Sequence, residues 1–173
     1  DAGIKDASGK LLVTSLNLAA INSALASTSV TAAQLNNTAA IALLVASYNT
    51  ILNWANGTLS DSGTRPQAAD YTKIGVSLGK AASGNTLNLL NAVVGGKTRS
   101  GVDSIGELQT LVNATNTLQA VVAGTTPVSA LTVANLQSLG LSGITTKNLP
   151  AVLSALAAQA DDGSATDSLT ELQ

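Results

Sequence analysis

The sequence contains no cysteine and no histidine. Their absence excludes thiol nucleophiles, disulfide bonds, imidazole general bases and nearly all zinc or copper sites. A catalytic centre would have to use hydroxyl, amine or carboxylate groups, and no spacing of such residues in this chain supports one. We therefore expect no enzymatic activity, no cofactor and no metal requirement for folding.

Charged side chains are also scarce. They make up 10% of the chain, and the net charge is only −2, whereas about 25% charged residues is usual. Without a basic cluster the chain has no positive face for phosphates, so we expect no binding of nucleic acid. No apolar run approaches the roughly 18 residues that span a bilayer, so we expect no membrane insertion.

Aromatic residues amount to 2% of the chain, and Phe and Met are absent. The hydrophobic fraction of 45% nevertheless suffices for a core, which must consist of Leu, Ile, Val and Ala. The three aromatic residues are Tyr48, Trp54 and Tyr71. Tyr48 and Trp54 are candidates for a binding patch, but we expect both on the core side of the long helix, and Tyr48 is in phase with its apolar stripe.

The sequence repeats itself at long range. The phrase DSIGELQ (103–109) returns as DSLTELQ (167–173), and other phrases recur in the same order at a similar spacing. The matching phrases are ADYTKIGV and ANLQSLGL; NLAAINSAL, NTLNLLNAV and NLPAVLSAL; and LLVASYNTIL and TLVNATNTLQ. This order predicts tandem units of about 65 residues. We place them at 1–76, 77–141 and 142–173, the last being partial.

The sequence of each unit predicts three helices, so the predicted fold class is all-α. The longest helix covers 39–56 in the first unit, where apolar residues follow the 3–4 spacing of one helix face. In the later copies, Ser104 with Glu107 and Ser168 with Glu171 form capping boxes. A unit of this size buries too little surface alone, so we expect neighbouring repeats of the same polypeptide to complete its core.

Two shorter helices are predicted in each unit. One covers 16–26, 85–94 and 148–160, and the other covers 67–74 and 133–139. Gly75 and Gly140 directly follow the latter pair, and glycine suits the left-handed position after a helix.

The partial third unit stops as its long helix begins. This boundary predicts that the natural polypeptide continues, and that DAGIKDASGK at the other end, which is no signal peptide, starts a mature form or an internal piece. We expect an apolar strip near Val152, Leu153 and Leu156 to be exposed. The C-terminal half-unit would then fray or pack against another chain.

The one acidic cluster is DDGSATD, which contains Asp161, Asp162 and Asp167. Its carboxylate and hydroxyl oxygens are candidate calcium ligands, although the spacing of an EF-hand is absent. The same residues also suit a turn followed by a helix N-terminus, where acidic side chains are favourable. The matching loop KTRSGVD keeps only one of the three acids, which favours the turn.

The stretch LGLSGITTKNLPAVLSALAAQADDGSATDSLTELQ (139–173) resembles tandem repeats of very large bacterial surface adhesins of the biofilm-associated type. The resemblance is good in the third copy and partial in the second. In the first copy the D-x-x-x-E-[LV]-Q start is missing. The resemblance implies an exported, extracellular or cell-surface stalk, spacer or fibre that mediates attachment.

Two other functions remain open. One is a helical binding module that recognises a host or polymer ligand through one face. The other is a subunit of an extracellular filament, because low charge leaves little repulsion against self-association.

Overall fold

The computed structural model describes residues 3–6, 8–56, 64–159 and 164–173. Within these residues the regular structure is helical, apart from one isolated bridge between Lys5 and Leu11, and the all-α prediction is confirmed. The helices are α1 Leu18–Leu25, α2 Thr38–Trp54, α3 Ala68–Lys73, α4 Gly84–Gly95, α5 Ile105–Val122, α6 Val133–Ser138, α7 Leu149–Ala157 and α8 Leu169–Leu172. Short 3-10 turns lie at Gly79–Ala82, Arg99–Gly101, Val128–Ala130 and Ser164–Thr166.

The two long helices, α2 and α5, bury the predicted apolar stripes. The buried residues of α2 include Leu44, Val45, Tyr48, Ile51 and Leu52, whereas Ile41 at its start is only half-buried. The buried residues of α5 include Leu108, Leu111, Val112, Thr115, Leu118 and Val122. A spacing of three and four residues places these side chains on one helix face, which lies in the core.

The predicted capping boxes are confirmed at both positions. The Ser104 hydroxyl accepts from the Glu107 N–H at 3.2 Å, and the Glu107 carboxylate accepts from the Ser104 N–H at 3.1 Å. At the start of α8, Ser168 and Glu171 make the same pair of bonds at 3.4 and 3.2 Å. Each pair satisfies two backbone N–H groups that a helix start otherwise leaves without partners.

The ends of α3 and α6 share one geometry. Gly75 and Gly140 have φ of 97° and 98°, which confirms the left-handed glycine predicted at both positions. The next residue then turns back onto the helix: the N–H of Val76 donates to the Tyr71 carbonyl at 3.0 Å, and that of Leu141 donates to the Leu136 carbonyl at 3.1 Å. These bonds are the Schellman type of helix ending.

A third shared geometry precedes α1 and α7. Asn17 Oδ1 accepts from the Thr14 N–H at 2.7 Å, and its amide donates to the Leu12 carbonyl at 2.8 Å. Asn148 Oδ1 accepts from the Thr145 N–H at 2.7 Å, and its amide donates to the Gly143 carbonyl at 2.8 Å. The asparagine side chain thus closes the same turn before both helices.

One hydrophobic core runs through the helices from α1 to α8. Helix α2 packs against α3, α4 packs along α5, and α5 also contacts α6 and α7. Helix α4 also contacts α8 and the turn Ser164–Thr166. Helix α4 is therefore surrounded by neighbours, whereas α7 is covered mainly by α5 and the turn Val128–Ala130.

The predicted apolar strip on α7 is narrower than expected. Leu156 is 8% exposed and belongs to the core, so its predicted exposure was wrong. Val152 and Leu153 are half-buried. The difference arises because α7 packs against α5 and the turn Val128–Ala130, contacts that a pattern within one helix does not specify.

The core holds one hydroxyl whose replacement should stabilise the protein. Thr115 is fully buried, and among the described residues its Oγ1 has no hydrogen-bond partner. Valine keeps the shape and the helix propensity but removes the unpaired polar atom. We expect Thr115→Val to raise the free energy of unfolding in urea by about 1 kcal/mol.

The matched control for this substitution is Thr110→Val. Thr110 lies on the exposed face of α5, where its hydroxyl donates to the Gly106 carbonyl at 2.9 Å. We expect that change to stay within about 0.5 kcal/mol. Destabilisation by Thr115→Val would mean that the hydroxyl has a partner in solution.

Candidate functional site

The acidic cluster is only partly described. Asp161 and Asp162 lie outside the described residues. Asp167 is half-buried, its Oδ2 accepts from the Asn88 amide at 3.2 Å, and its N–H donates to the Glu171 carboxylate at 3.1 Å. Asp167 thus joins α4 to the start of α8. In the described parts of the chain, no three acidic side chains gather where a metal could bind, and calcium binding by the three aspartates stays a hypothesis.

The aromatic residues do not form a surface patch. Tyr48 and Tyr71 are fully buried, and Trp54 is nearly so. The Tyr48 hydroxyl donates to the Val102 carbonyl at 3.2 Å, which ties α2 to the segment before α5. The interpretation of Tyr48 and Trp54 as core residues is therefore correct for this structure.

Asn91 is the centre of a buried polar network between α2, α3 and α4. Its Oδ1 accepts from the Tyr71 hydroxyl at 2.8 Å, and its amide donates to the Pro66 carbonyl at 3.0 Å. Its backbone carbonyl accepts from the Trp54 indole N–H at 2.6 Å. Because all these groups are buried, each bond satisfies an atom that would otherwise be costly to bury.

The tyrosines in these contacts act as permanent donors. Burial raises the pKa of Tyr71 well above its ordinary value, and the nearby Asp70 carboxylate raises it further. Burial likewise raises the pKa of Tyr48, with a smaller contribution from Asp103. A phenol that stays protonated serves as a structural hydrogen-bond donor rather than as an acid or base at neutral pH.

Asn91 was not among the residues predicted from the sequence to hold the structure together. A signal was present, because Asn91 lies in the apolar run LNLLNAVV, between Leu90 and Val93. A polar residue on the buried side of a helix needs hydrogen-bond partners. The partners themselves lie 20 to 37 residues away along the chain, so no local pattern names them.

A groove of mixed polarity lies between α7 and the end of α8. It has a volume of about 590 Å³. Its walls are mixed, because the polar residues Ser142, Gln159, Thr166, Glu171 and Gln173 lie among seven apolar ones. The apolar lining consists of Leu141, Ile144, Val152, Ala155, Leu156 and Leu172, with Ala165. Glu171, the one charged side chain in this lining, is already bonded to Ser168 in the α8 capping box.

An apolar hollow of about 430 Å³ lies beside the first half of α2. Leu43, which is 56% exposed, and Leu35 line one side of it, and Ala69, Thr72 and Lys73 of α3 line the other. An apolar concavity of this size falls within the range of ligand-binding pockets.

The described helices include none with both the length and the apolar content to cross a bilayer. Comparison with protein-family models, with curated proteins and with solved structures finds no match to this chain. The function of the chain is therefore inferred from its geometry and from the resemblance of its motifs.

Proposed function

We propose that this chain is a non-enzymatic segment of a tandem helical array that serves as a stalk or spacer in an exported bacterial cell-surface protein. In this proposal, units of about 65 residues, with boundaries near 76 and 141, stack on one another. The array holds an attachment surface away from the cell and contributes to adhesion or biofilm formation. Its partners are the neighbouring units of the same polypeptide.

The observation that best supports the proposal is the recurrence of local structure at matching motifs. Gly75 and Gly140 end their helices with the same φ and the same backbone bond. Asn17 and Asn148 close the same turn with bonds of equal length. Such agreement is expected of repeated units, since each repeat is one supersecondary structure with a similar local sequence.

The chemistry of the surface is consistent with a spacer. With few charged residues, the polar surface is supplied mainly by Ser, Thr, Asn and Gln, which do not titrate near neutral pH. A stalk outside the cell must tolerate variable ionic strength and pH. The stability of a weakly charged helical array depends little on either, because few ion pairs are available to be screened or protonated.

A helical binding module is the second candidate function. The hollow beside Leu43 favours it, because that leucine is exposed next to an apolar concavity of about 430 Å³. In that case Leu43→Ser should abolish binding of the ligand without changing the fold, whereas a spacer would be indifferent to the substitution.

The array is tested by adding a unit. We would insert a second copy of 77–141 after Leu141 and measure helicity, melting temperature and the maximum dimension by small-angle X-ray scattering. We expect unchanged helicity per residue, no loss of melting temperature, and the same increase in maximum dimension for each further copy.

The control insertion contains the same residues in permuted order, 105–141 followed by 77–104. It has identical composition but breaks the register with both neighbours, so we expect it to lower helicity or stability. If the in-register copy behaves no better than the permuted copy, the chain is not a tandem array.

The attachment function needs a separate measurement. We would display one, two and three copies of 77–141 within the chain on a non-adherent bacterium and measure adhesion to polystyrene and glass. An array that supports attachment should increase adhesion with copy number, and the permuted insertions should not. Equal adhesion for all displayed proteins would contradict the adhesive part of the proposal and leave the array intact.

A further inference from the structure

The groove beside α7 corresponds to a space beside α4 that α5 fills. The motif NTLNLLNAV of α4 matches NLPAVLSAL of α7, so Leu89 corresponds to Val152. Leu89 is fully buried, whereas Val152 is half-buried and lines the groove. The helix that packs along α4 and against the turn Gly79–Ala82 is α5.

The start of α8 reproduces the start of α5. Ser104 and Ser168 begin both helices with the same capping box. Four residues beyond each serine, Leu108 is fully buried, whereas its counterpart Leu172 is half-buried at the edge of the groove. Because α8 ends at Leu172, a helix in line with it would run into the groove.

A polar contact of α5 also supports the correspondence between α5 and a helix that would continue α8. The Gln109 amide donates to the Ser77 carbonyl at 3.0 Å and accepts from the Ser77 N–H at 3.0 Å, which fixes α5 to the segment after α3. The matching residues in the third copy are Gln173 and Ser142, and both line the groove.

We propose that the groove is a docking site for an amphipathic α-helix of the α5 type, lying in line with α8. The occupant presents leucine and valine at the positions that Leu111, Val112 and Leu118 hold in α5. These side chains would contact the leucine, isoleucine and valine residues of the groove, while the Glu171 carboxylate beside them is engaged in a helix cap. This inference rests on the repeat equivalence proposed above and is independent of the attachment function.

The proposal is tested by fusing such a helix to the end of the full chain. We would append TLVNATNTLQAVV, the sequence of residues 110–122, directly after Gln173, so that α8 continues with the α5 pattern. Docking of the tail should raise the melting temperature by about 5–10 °C. It should also slow amide exchange in α7 and in the tail, because both would be buried against each other.

Two controls separate docking from a general effect of extra residues. A tail of equal length with its Leu and Val residues changed to Gln should leave the melting temperature unchanged. Val152→Gln should remove most of the gain from the apolar tail while altering the unextended chain by no more than about 2 °C.

The proposal is overturned if the apolar tail adds no more than the Gln tail, or if Val152→Gln leaves the gain intact. It is also overturned if the unextended chain is a dimer in sedimentation equilibrium and α7 is already protected from exchange, since a second copy would then fill the groove. Growth of the array on insertion of 77–141 together with a failed tail would reject this docking site and not the proposed function.

Discussion

Replacing Asn91 by leucine is expected to lower the free energy of unfolding by about 3 kcal/mol, because two buried groups lose their partners. Leucine fills a similar volume, so the loss reports hydrogen bonding rather than a cavity. The Tyr71 hydroxyl and the Pro66 carbonyl would be left unpaired. The bond from Trp54 would remain, since it ends on the backbone of residue 91. Urea unfolding measures the change.

The control position for this substitution is Ser154 of α7, which the motif alignment matches to Asn91. Ser154 is exposed, so Ser154→Leu should change stability by no more than about 0.5 kcal/mol. Tyr71→Phe should lower the free energy of unfolding by about 1 kcal/mol. The double substitution with Asn91→Leu should cost less than the sum of the two, because both single substitutions remove the same hydrogen bond between Tyr71 and Asn91. A loss below about 1 kcal/mol for Asn91→Leu would contradict the network.

Gly75→Ala is expected to destabilise the protein more than Gly140→Ala, although both glycines have almost the same backbone conformation. At φ near +97° an alanine is strained at either position, which costs about 1–2 kcal/mol. At Gly75 the added Cβ would also lie 2.8 Å from Ser27 Oγ and 2.9 Å from Val30 Cγ2. At Gly140 its nearest neighbour would be Leu169 Cδ1 at 3.8 Å.

The expected losses are therefore about 3–4 kcal/mol for Gly75→Ala and about 1–2 kcal/mol for Gly140→Ala, measured by thermal or urea unfolding. Ser27→Gly removes one of the crowding side chains and should recover part of the loss in Gly75→Ala but none in Gly140→Ala. Equal losses at the two glycines would show that the contact of Gly75 with the segment after α1 does not persist in solution.

Much of the local structure was predictable because its determinants are close in sequence. The serine and glutamate of each capping box are three residues apart, and each C-terminal glycine is the second residue after its helix ends. The stripe of α5 was predictable for the same reason, since helical periodicity alone places Leu111, Val112 and Leu118 on one face. The candidate calcium site stays a prediction, because carboxylates bind a metal only if the fold brings several together, and two of its three aspartates lie outside the described residues.

The sequence by itself determined the helices, their caps, their glycine ends and the recurrence of these features, since these depend on interactions within about five residues. Only the tertiary structure decided which helices pack against each other. It made Asn91 the centre of a buried network, since its partners lie on α2, on α3 and just before α3. It also placed Leu156 in the core and left the groove beside Val152 open, because burial depends on packing between helices that are distant in sequence.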